Sequence, residues 1–218
     1  MIAQRPIVLI VDDHVLVSNA LAMALRSRGL TAAAVAPDQL RERLAEPAPP
    51  GSLVLLDLDL GTETDGADLV PRLRRAGWRV LLVTGATDET RVAVAIAGGA
   101  VGRVRKTAPF DELVDTAVRA AEGRSLLTEA ERRRLHAVAA AAEQDVRQRE
   151  DRWQRLTPRE RQIVDRIAAG RRPAAIAEEF VVSVATVRTQ IKSILGKLGV
   201  GSQLEIAAFA RRRAGGTR

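Results

Sequence analysis

Apolar residues in the first 122 positions fall in five short runs that are separated by segments of helical length. The runs are Ile7–Val11, Leu30–Ala36, Leu53–Leu58, Val80–Val83 and Val101–Val104. Most are continuous rather than alternating, which is typical of parallel strands covered on both faces. The segments between them, such as Val15–Arg28 and Asp65–Arg75, have helical spacing. This alternation predicts a doubly wound α/β domain with a five-stranded parallel sheet, whose ligands bind at the carboxyl ends of the strands.

Residues 123–155 show no strand pattern and predict one long linker helix. Thr128 is a candidate N-cap, with Glu131 at the capping-box position, and good helix formers follow. Apolar residues recur at steps of three, four, four and seven: Leu135, Val138, Ala142, Val146 and Trp153. This heptad-like stripe fits a seam between two protomers. It fits equally a surface helix that packs on its own N-terminal domain.

Residues 156–218 carry the start and stop signals of four short helices. The signals are Thr157 and Pro158, Gly170, Pro173, Ser183 before a helix that reaches about Leu198, and a last segment Gln203–Arg213. The chain therefore divides into an α/β domain over 1–122, a helical linker over 123–155 and an all-α four-helix domain over 156–218.

Charge separates the two ends of the chain. Residues 1–122 carry net −2, residues 123–155 net +2 and residues 156–218 net +7. A basic module behind a mildly acidic one suggests an output that binds a polyanion, although a solvated basic surface would show the same excess. The absence of cysteine excludes disulfides and thiolate sites. No apolar run reaches the ~18 residues of a membrane span, and acidic residues come too early for a secretory signal, so we expect a cytoplasmic protein.

Polar side chains follow four of the five predicted strands. Asp12 and Asp13 follow the first strand, Asp57 the third, Thr84 the fourth and Lys106 the fifth. In a doubly wound sheet these side chains converge on one edge. Clustered carboxylates repel one another and need a cation, and oxygen ligands at an open site suit Mg²⁺. The lysine and the hydroxyl beside them suit an anionic acyl phosphate.

The motifs IVDDH, LLDLDLG, LLVTG and KTAP together resemble the receiver domain of response regulators, with its CheY-like fold. The resemblance implies that Asp57 accepts a phosphoryl group from a histidine kinase. It also implies that Asp13, Asp57 and the backbone carbonyl of Asp59 hold Mg²⁺ with help from Asp12, and that Thr84 and Lys106 bind the phosphate. Asp59, two residues further on, is the rival acceptor, but the family pattern favours Asp57.

The chain departs from the receiver pattern in two places. The loop between Asp57 and Gly66 lacks the usual Met-Pro and is about one residue longer, so we expect a reshaped loop with little effect on Asp57. Arg103 stands where the family usually places an aromatic residue, and the chain has no tyrosine. The inward swing of an aromatic ring behind Thr84 is therefore excluded. Arg103 is either one more surface arginine or a sign of altered coupling to the output face.

The helix that Ser183 caps has one apolar face and one basic face. Arg188 and Lys192 are neighbours one turn apart on the polar face, with Thr189 beside them. Arginine can read guanine in the major groove, and lysine and threonine can reach bases or phosphates. A helix, a short turn and a capped second helix form a helix-turn-helix, although a helical module for protein interaction would have the same pattern.

The residues LTPRERQIVDRIAAG, IAEEF, SVATVRTQIK and KLGV resemble the four-helix DNA-binding domain of the LuxR/NarL family over about 156–210. The resemblance implies dimerisation through the last helix and inverted half-sites. It implies DNA contacts from Thr186, Arg188, Thr189, Lys192 and Lys197. Departures at Ala175, Gln190 and Gln203 put the target sequence in question, not the binding.

Together these features predict a two-component transcription regulator. We expect it to be phosphorylated on Asp57 by a sensor histidine kinase and to bind promoter DNA as a homodimer, with RNA polymerase as a further partner. The alternative is a phosphorylation-independent DNA-binding regulator with an atypical receiver, which Arg103 favours. An enzyme that uses a nucleotide is disfavoured, because VDDHVL replaces a glycine-rich phosphate loop after the first strand.

Overall fold

The computed structural model describes residues 6–43, 48–61, 65–85 and 88–215. The chain divides into two compact units, Met1–Ala140 and Ala141–Arg218. Within the described residues, no helix combines the length and the apolar character that crossing a membrane requires.

The first unit is built on a parallel sheet of five strands in the order β2-β1-β3-β4-β5. The strands are β1 Ile7–Val11, β2 Thr31–Val35, β3 Leu53–Leu56, β4 Arg79–Thr84 and β5 Gly102–Arg105. The residues of β3 are all buried, as expected for a central strand covered on both faces. The predicted doubly wound sheet is confirmed, with strand ends that differ from the apolar runs by one or two residues.

Helices cover both faces of this sheet. They are α1 Val15–Ser27, α2 Leu40–Arg43, α3 Gly66–Arg75, α4 Glu89–Ala97 and α5 Phe110–Ala121. Side chains of α2, α3 and α4 pack with one face of the strands, and those of α1 and α5 pack with the other. All five strands run in the same direction, so their carboxyl ends lie at one edge, where the polar residues of the sequence motifs are found.

Helix α6, Glu129–Gln154, is one continuous helix that crosses the division between the two units. It starts at the predicted capping box: the Glu131 N–H donates to Thr128 Oγ1 at 3.2 Å, and the Thr128 N–H donates to Glu131 Oε2 at 2.9 Å. Leu135 is buried in the core of the first unit, whereas Trp153 is buried in the core of the second. The predicted linker is therefore shared between two cores.

Four helices complete the second unit: α7 Pro158–Ala168, α8 Pro173–Glu179, α9 Val184–Leu198 and α10 Gln203–Gly215. Thr157 and Glu160 form a reciprocal capping box at the start of α7, and Ser183 caps α9. Gly199 ends α9 in the left-handed region at φ 65°, which glycine adopts without steric cost. The turn between α8 and α9 contains Val181 at φ 53°. The predicted all-α helix-turn-helix unit is confirmed.

Candidate functional sites

An acidic cluster lies where β1 and β3 end. Asp12 and Asp13 follow β1, Asp57 follows β3, and ligand atoms from these three residues and His14 all lie within 4.8 Å of one another. The backbone supports the arrangement, because the Asp57 N–H donates to the carbonyl of Val11 at 2.9 Å and so continues the pairing of the two strands. This cluster could hold a metal ion.

Asp57 is the most deeply buried residue of the cluster, with 2% of its surface exposed compared with 5% for Asp12. Its Oδ2 accepts a hydrogen bond from Lys106 Nζ at 2.7 Å. Its Oδ1 is also buried and has no hydrogen-bond partner among the described residues. Burial raises the pKa of Asp57, and the Lys106 ammonium opposes that shift. One oxygen of this carboxylate is therefore held and the other is available to a cation or a reacting group.

Lys106 links two carboxylates of the cluster. Its ammonium lies 2.7 Å from Asp12 Oδ2 and 2.7 Å from Asp57 Oδ2. Burial disfavours the ammonium, but the hydrogen bonds to Asp12 and Asp57 outweigh it and raise the pKa of Lys106. The Lys106 N–H donates to the backbone carbonyl of Thr84 at 3.1 Å, which fixes the two strand ends side by side. Thr84 is buried at the end of β4. The structure therefore brings Lys106 into contact with Asp12 and Asp57 and places Thr84 at the neighbouring strand end.

His14 belongs to this edge and was not singled out from the sequence. Its Nδ1 lies 2.6 Å from Asp13 Oδ1 and 3.1 Å from Asp12 Oδ1, and its N–H donates to Asp12 Oδ1 at 2.8 Å. The contact with Asp13 raises the pKa of His14. Burial opposes a downward shift at Asp13, but the hydrogen bond with His14 outweighs it and lowers the pKa of Asp13. The signal in the sequence that could have identified His14 is its position directly after Asp12 and Asp13.

Asp59 lies apart from the cluster. Its carboxylate is 61% exposed and accepts a hydrogen bond from Arg91 Nη1 at 2.7 Å. Arg91 on α4 also binds Asp65, the N-cap of α3. The role that the resemblance gives to Asp59 belongs to its backbone carbonyl and stays a prediction. Residues 62–64 of the reshaped loop lie outside the described residues. Arg91 was missed from the sequence, although it directly precedes the apolar run of α4 and is the one basic residue of that helix.

Arg103 lies on β5, half-buried, beside a surface depression of about 450 Å³. The depression is also lined by Arg105, Thr107, Glu112 and Thr116. Hydrogen bonds from Thr128 lower the pKa of Glu131 at the start of α6, and the charge of Arg103 adds to that shift. The effect of Arg103 on coupling to the output face stays a prediction.

Helix α9 presents its polar residues to solvent while its apolar face is buried. Val187, Ile191, Ile194 and Leu198 are buried in the core of the second unit. Arg188 and Lys192 are exposed one turn apart. Thr186 and Thr189 are also exposed; the Thr189 hydroxyl donates to the carbonyl of Ala185 at 3.0 Å, and the Thr186 hydroxyl lies 2.8 Å from Ser183 Oγ. The exposed face of α9 therefore carries two positive charges, those of Arg188 and Lys192, with the hydroxyls of Thr186 and Thr189 on the same helix.

Lys197 differs from the other basic residues of α9. Its ammonium lies 2.7 Å from Glu160 Oε2 and 2.9 Å from Glu160 Oε1. Glu160 is buried and also accepts a hydrogen bond from Ser193 Oγ at 2.8 Å. A contact of Lys197 with DNA stays a prediction, and any such contact shares this ammonium with Glu160.

Two family models match this chain. The response regulator receiver domain matches residues 8–118, and the luxR family of bacterial regulatory proteins matches residues 154–210. The chain belongs to the response regulators with a LuxR-type DNA-binding domain.

Relatives with known names agree with the assignment of this chain to the response regulators. The nitrate/nitrite response regulator protein NarL of Escherichia coli is 31% identical over 175 residues, with 78% of this chain and 77% of NarL covered. The transcriptional regulatory protein LiaR of Bacillus subtilis is 28% identical over 209 residues, with 94% and 96% covered. A structure of Salmonella enterica RcsB bound to a promoter is 20% identical, covers 95% of this chain and 98% of that one, and has a TM-score of 0.50, which supports the fold alone.

The response regulator therefore joins an α/β receiver unit to a helix-turn-helix unit, as a DNA-binding regulator of a two-component system. The first matched segment ends within α5 and the second starts at Gln154, the last residue of α6. Most of α6 thus lies outside both matched segments.

Proposed function

We propose that this response regulator is phosphorylated on Asp57 and that phosphorylation controls its binding to promoter DNA. The observation that carries the proposal is the buried Asp57 carboxylate, with one oxygen bound to Lys106 and the other without a partner among the described residues. Of the two candidate acceptors, Asp59 is largely exposed and is neutralised by Arg91. Asp57 alone combines a central position with a poised oxygen.

The donor set around Asp57 fits Mg²⁺. Three carboxylates from two strand ends supply oxygen ligands within one small volume, and hard cations of this kind bind oxygen. Asp12, Asp13 and Asp57 would hold the ion, together with the backbone carbonyl of Asp59. When bound, Mg²⁺ supplies charge that offsets repulsion between the carboxylates and an incoming phosphoryl group.

The protein's own residues account for the transfer. One Asp57 oxygen attacks the phosphorus of a phosphohistidine; the P–O bond forms while the P–N bond breaks, and the imidazole nitrogen keeps the electron pair. Lys106 already lies 2.7 Å from Asp57 and pairs with the added phosphate charge. Thr84, buried at the adjacent strand end, donates its hydroxyl to a phosphate oxygen. The product is an acyl phosphate on the regulator itself, not a released metabolite.

Acetyl phosphate with Mg²⁺ tests the acceptor. Intact-mass spectrometry should show one added phosphoryl group on the wild type and on Asp59→Asn, and none on Asp57→Asn. Asp59→Asn is the matched control because it removes a neighbouring carboxylate of the same loop. Equal labelling of Asp57→Asn would overturn Asp57 as the acceptor and shift the site to another residue such as Asp59. A wild type that stays unlabelled would favour the phosphorylation-independent alternative.

The kinase surface that we propose is the exposed apolar stripe at the start of α1. Leu16 is 85% exposed and Met23 is 67% exposed, seven residues apart on one helix face. The stripe begins directly after Asp13 and His14, so a partner seated there brings its phosphohistidine to the acceptor edge. Leu16→Ser should slow transfer from a phosphorylated sensor kinase and leave labelling by acetyl phosphate unchanged. Equal slowing with both donors would place the defect in Asp57 chemistry instead.

Arg188 and Lys192 carry the DNA contact in this proposal, with Thr186 and Thr189 beside them and Lys197 at the helix end. A base-reading arginine costs about 1–3 kcal/mol of specific binding when removed. Arg188→Ala should therefore reduce binding to sites selected from random DNA and relax sequence preference. Lys192→Ala should reduce the slope of log affinity against log salt by about one if it contacts a phosphate. Arg147→Ala, which removes an exposed arginine of α6, is the charge-matched control.

The active form that we propose is a cytoplasmic homodimer that forms through α10. It binds DNA at inverted half-sites and has RNA polymerase as a further partner. Exposed Leu204 at the start of α10, at 75%, supports a contact through this helix. Leu204→Asp should give a monomer by light scattering after phosphorylation. A variant as dimeric as wild type would exclude this part of α10 from the interface.

A further inference from the structure

Arg91 makes four hydrogen bonds to the loop that follows Asp57. Its Nε and Nη2 bind the two carboxylate oxygens of Asp65 at 2.8 and 3.0 Å. Its Nη1 binds Asp59 at 2.7 Å, and Nη2 also donates to the carbonyl of Leu58 at 2.8 Å. The guanidinium side chain is 28% exposed, so solvent screens these bonds only in part. One side chain of α4 thus holds both ends of the acceptor loop.

The loop is closed tightly at the same point. The Gly66 N–H donates to the carbonyl of Leu58 at 3.1 Å, so this carbonyl accepts from both Gly66 and Arg91. The backbone of Asp57 and Leu58 lies against Gly66 so closely that a Cβ there would be 2.3 Å from the Asp57 carbonyl oxygen. A shift of the loop at Leu58 therefore moves the backbone next to the acceptor.

The Asp59 carbonyl belongs to the residue whose carboxylate Arg91 binds, and it is the next carbonyl along the backbone after that of Leu58, which Arg91 also binds. The same guanidinium places a positive charge against two carboxylates, Asp59 and Asp65, which otherwise add negative charge beside a site for an anion. Planar bidentate binding of Asp65 restricts the direction of the guanidinium, which a lysine ammonium could not do.

We propose that Arg91 is a positioning residue of the phosphorylation site. It holds Leu58, Asp59 and Asp65, which lie at the two described ends of the loop, so that the Asp59 carbonyl stays at the metal position and the carboxylates of Asp59 and Asp65 stay neutralised. The inference rests on the proposed function of the acidic cluster as a divalent metal site next to Asp57.

Mn²⁺ titration followed by electron paramagnetic resonance of the full chain tests the proposal without phosphorylation. Arg91→Ala should bind Mn²⁺ about tenfold more weakly than wild type, which corresponds to about 1.4 kcal/mol. Arg91→Lys keeps the charge but loses the bidentate geometry, and its affinity should fall between the two. Arg72→Ala, which removes an exposed arginine from α3, should leave the affinity unchanged.

Hydrogen exchange gives a second readout in the same proteins. In Arg91→Ala the amides around Gly66 should exchange faster, whereas those of β3 should keep wild-type protection and so show that the domain is folded. In the acetyl phosphate reaction, the Mg²⁺ concentration for half-maximal rate should rise, with the rate at saturating Mg²⁺ within about twofold of wild type.

The outcomes separate this inference from the proposed function. Wild type that binds Mn²⁺ but is not labelled by acetyl phosphate removes Asp57 as the acceptor and leaves the role of Arg91 in metal binding intact. Arg91→Ala with wild-type Mn²⁺ affinity and unchanged loop exchange overturns the inference while Asp57 stands. A wild type that binds no Mn²⁺ overturns it as well.

Discussion

Lys197 of α9 is bound through its ammonium to both carboxylate oxygens of Glu160, at 2.7 and 2.9 Å. Glu160 belongs to the capping box of α7, so the ion pair ties the helix that we assign to DNA to the first helix of its own unit. Although burial opposes the charged form, hydrogen bonds from Lys197, Thr157 and Ser193 lower the pKa of Glu160 to about 2. This end of α9 is therefore fixed before DNA binds.

Glu160→Gln should destabilise the second unit by about 2 kcal/mol at neutral pH, because it leaves the Lys197 ammonium without its charged partner. The folded pKa of Glu160 lies below its ordinary value of 4.5. Its contribution is therefore present above about pH 4.5 and is lost as pH falls toward 2. Urea unfolding followed by Trp153 fluorescence, in a Trp78→Phe background, should show the difference from wild type shrinking over that range.

The exposed pair of Arg166 and Glu179 provides the control for that experiment. Both side chains are more than a third exposed, and exposed ion pairs contribute little. Glu179→Gln should leave the unfolding midpoint close to wild type at every pH. An equal loss in both variants would show that the burial of Glu160 has no special effect.

Asp57→Asn should stabilise the receiver unit when no divalent metal is present. Burial raises the pKa of Asp57, so ionisation costs more in the folded protein than in the unfolded chain. Wild type therefore loses stability relative to the asparagine variant as pH rises above the unfolded pKa of about 3.8. In EDTA at pH 7 the variant should be more stable by about 1 kcal/mol, as a typical single-site effect. The gain should vanish near pH 3.

Trp78 fluorescence in a Trp153→Phe background reports this unit, because Trp78 is buried in its core. Asp59→Asn is the comparison, since that carboxylate is exposed and paired with Arg91. It should give no gain at pH 7. A less stable Asp57→Asn protein in EDTA would mean that the Lys106 ion pair outweighs the burial of the carboxylate.

Continuous apolar runs were enough to predict the sheet, because strands covered on both faces cannot alternate. The same reasoning placed Asp12, Asp57 and Lys106 at one edge, since the carboxyl ends of parallel strands must meet there. Local chemistry also predicted the caps at Thr128 and Thr157. These features depend on neighbours in the sequence or on topology alone.

Side-chain partners distant in the chain could not be predicted in this way. Arg91 binds residues 26 and 32 positions earlier, and Lys197 binds Glu160 across 37 positions. No local pattern selects these partners from the many arginines and acids of the chain. For the same reason, the sequence left two interpretations of the apolar stripe of α6: a seam between two protomers, or a helix that packs on its own N-terminal domain. A heptad spacing does not specify which surface covers the stripe.

Gly66→Ala should destabilise the receiver unit and slow phosphorylation together. A Cβ at this position would be 2.3 Å from the Asp57 carbonyl oxygen and 2.7 Å from Leu58 Cα, so the backbone next to the acceptor must move. Overpacking of this kind typically costs about 1–3 kcal/mol. Gly85→Ala, where an added Cβ meets no atom within 4 Å, should keep wild-type stability. Equal stability of both variants would contradict the close approach.

Aspartate at Leu135 and at Val146 should have different effects, although both belong to the apolar stripe of α6. Leu135 is 2% exposed in the core of the receiver unit, and a charge there is strongly unfavourable. Leu135→Asp should therefore lower receiver stability by about 3 kcal/mol or more. Val146 is 49% exposed, and Val146→Asp should change stability by less than about 0.5 kcal/mol.

The same pair of variants decides whether α6 joins two protomers. Since Leu135 and Trp153 are covered within their own units, only Ala142 and Val146 of the stripe are left to form a seam with a second copy, with Val138 half-buried against the receiver core. A coiled coil needs apolar contacts sustained over several heptads. We therefore expect light scattering to show the same oligomeric state for Val146→Asp as for wild type, with and without acetyl phosphate. The control Gln144→Asp, on the opposite side of α6, should give the same result. A shift to monomer in Val146→Asp alone would restore the seam between protomers, because this variant leaves both cores intact.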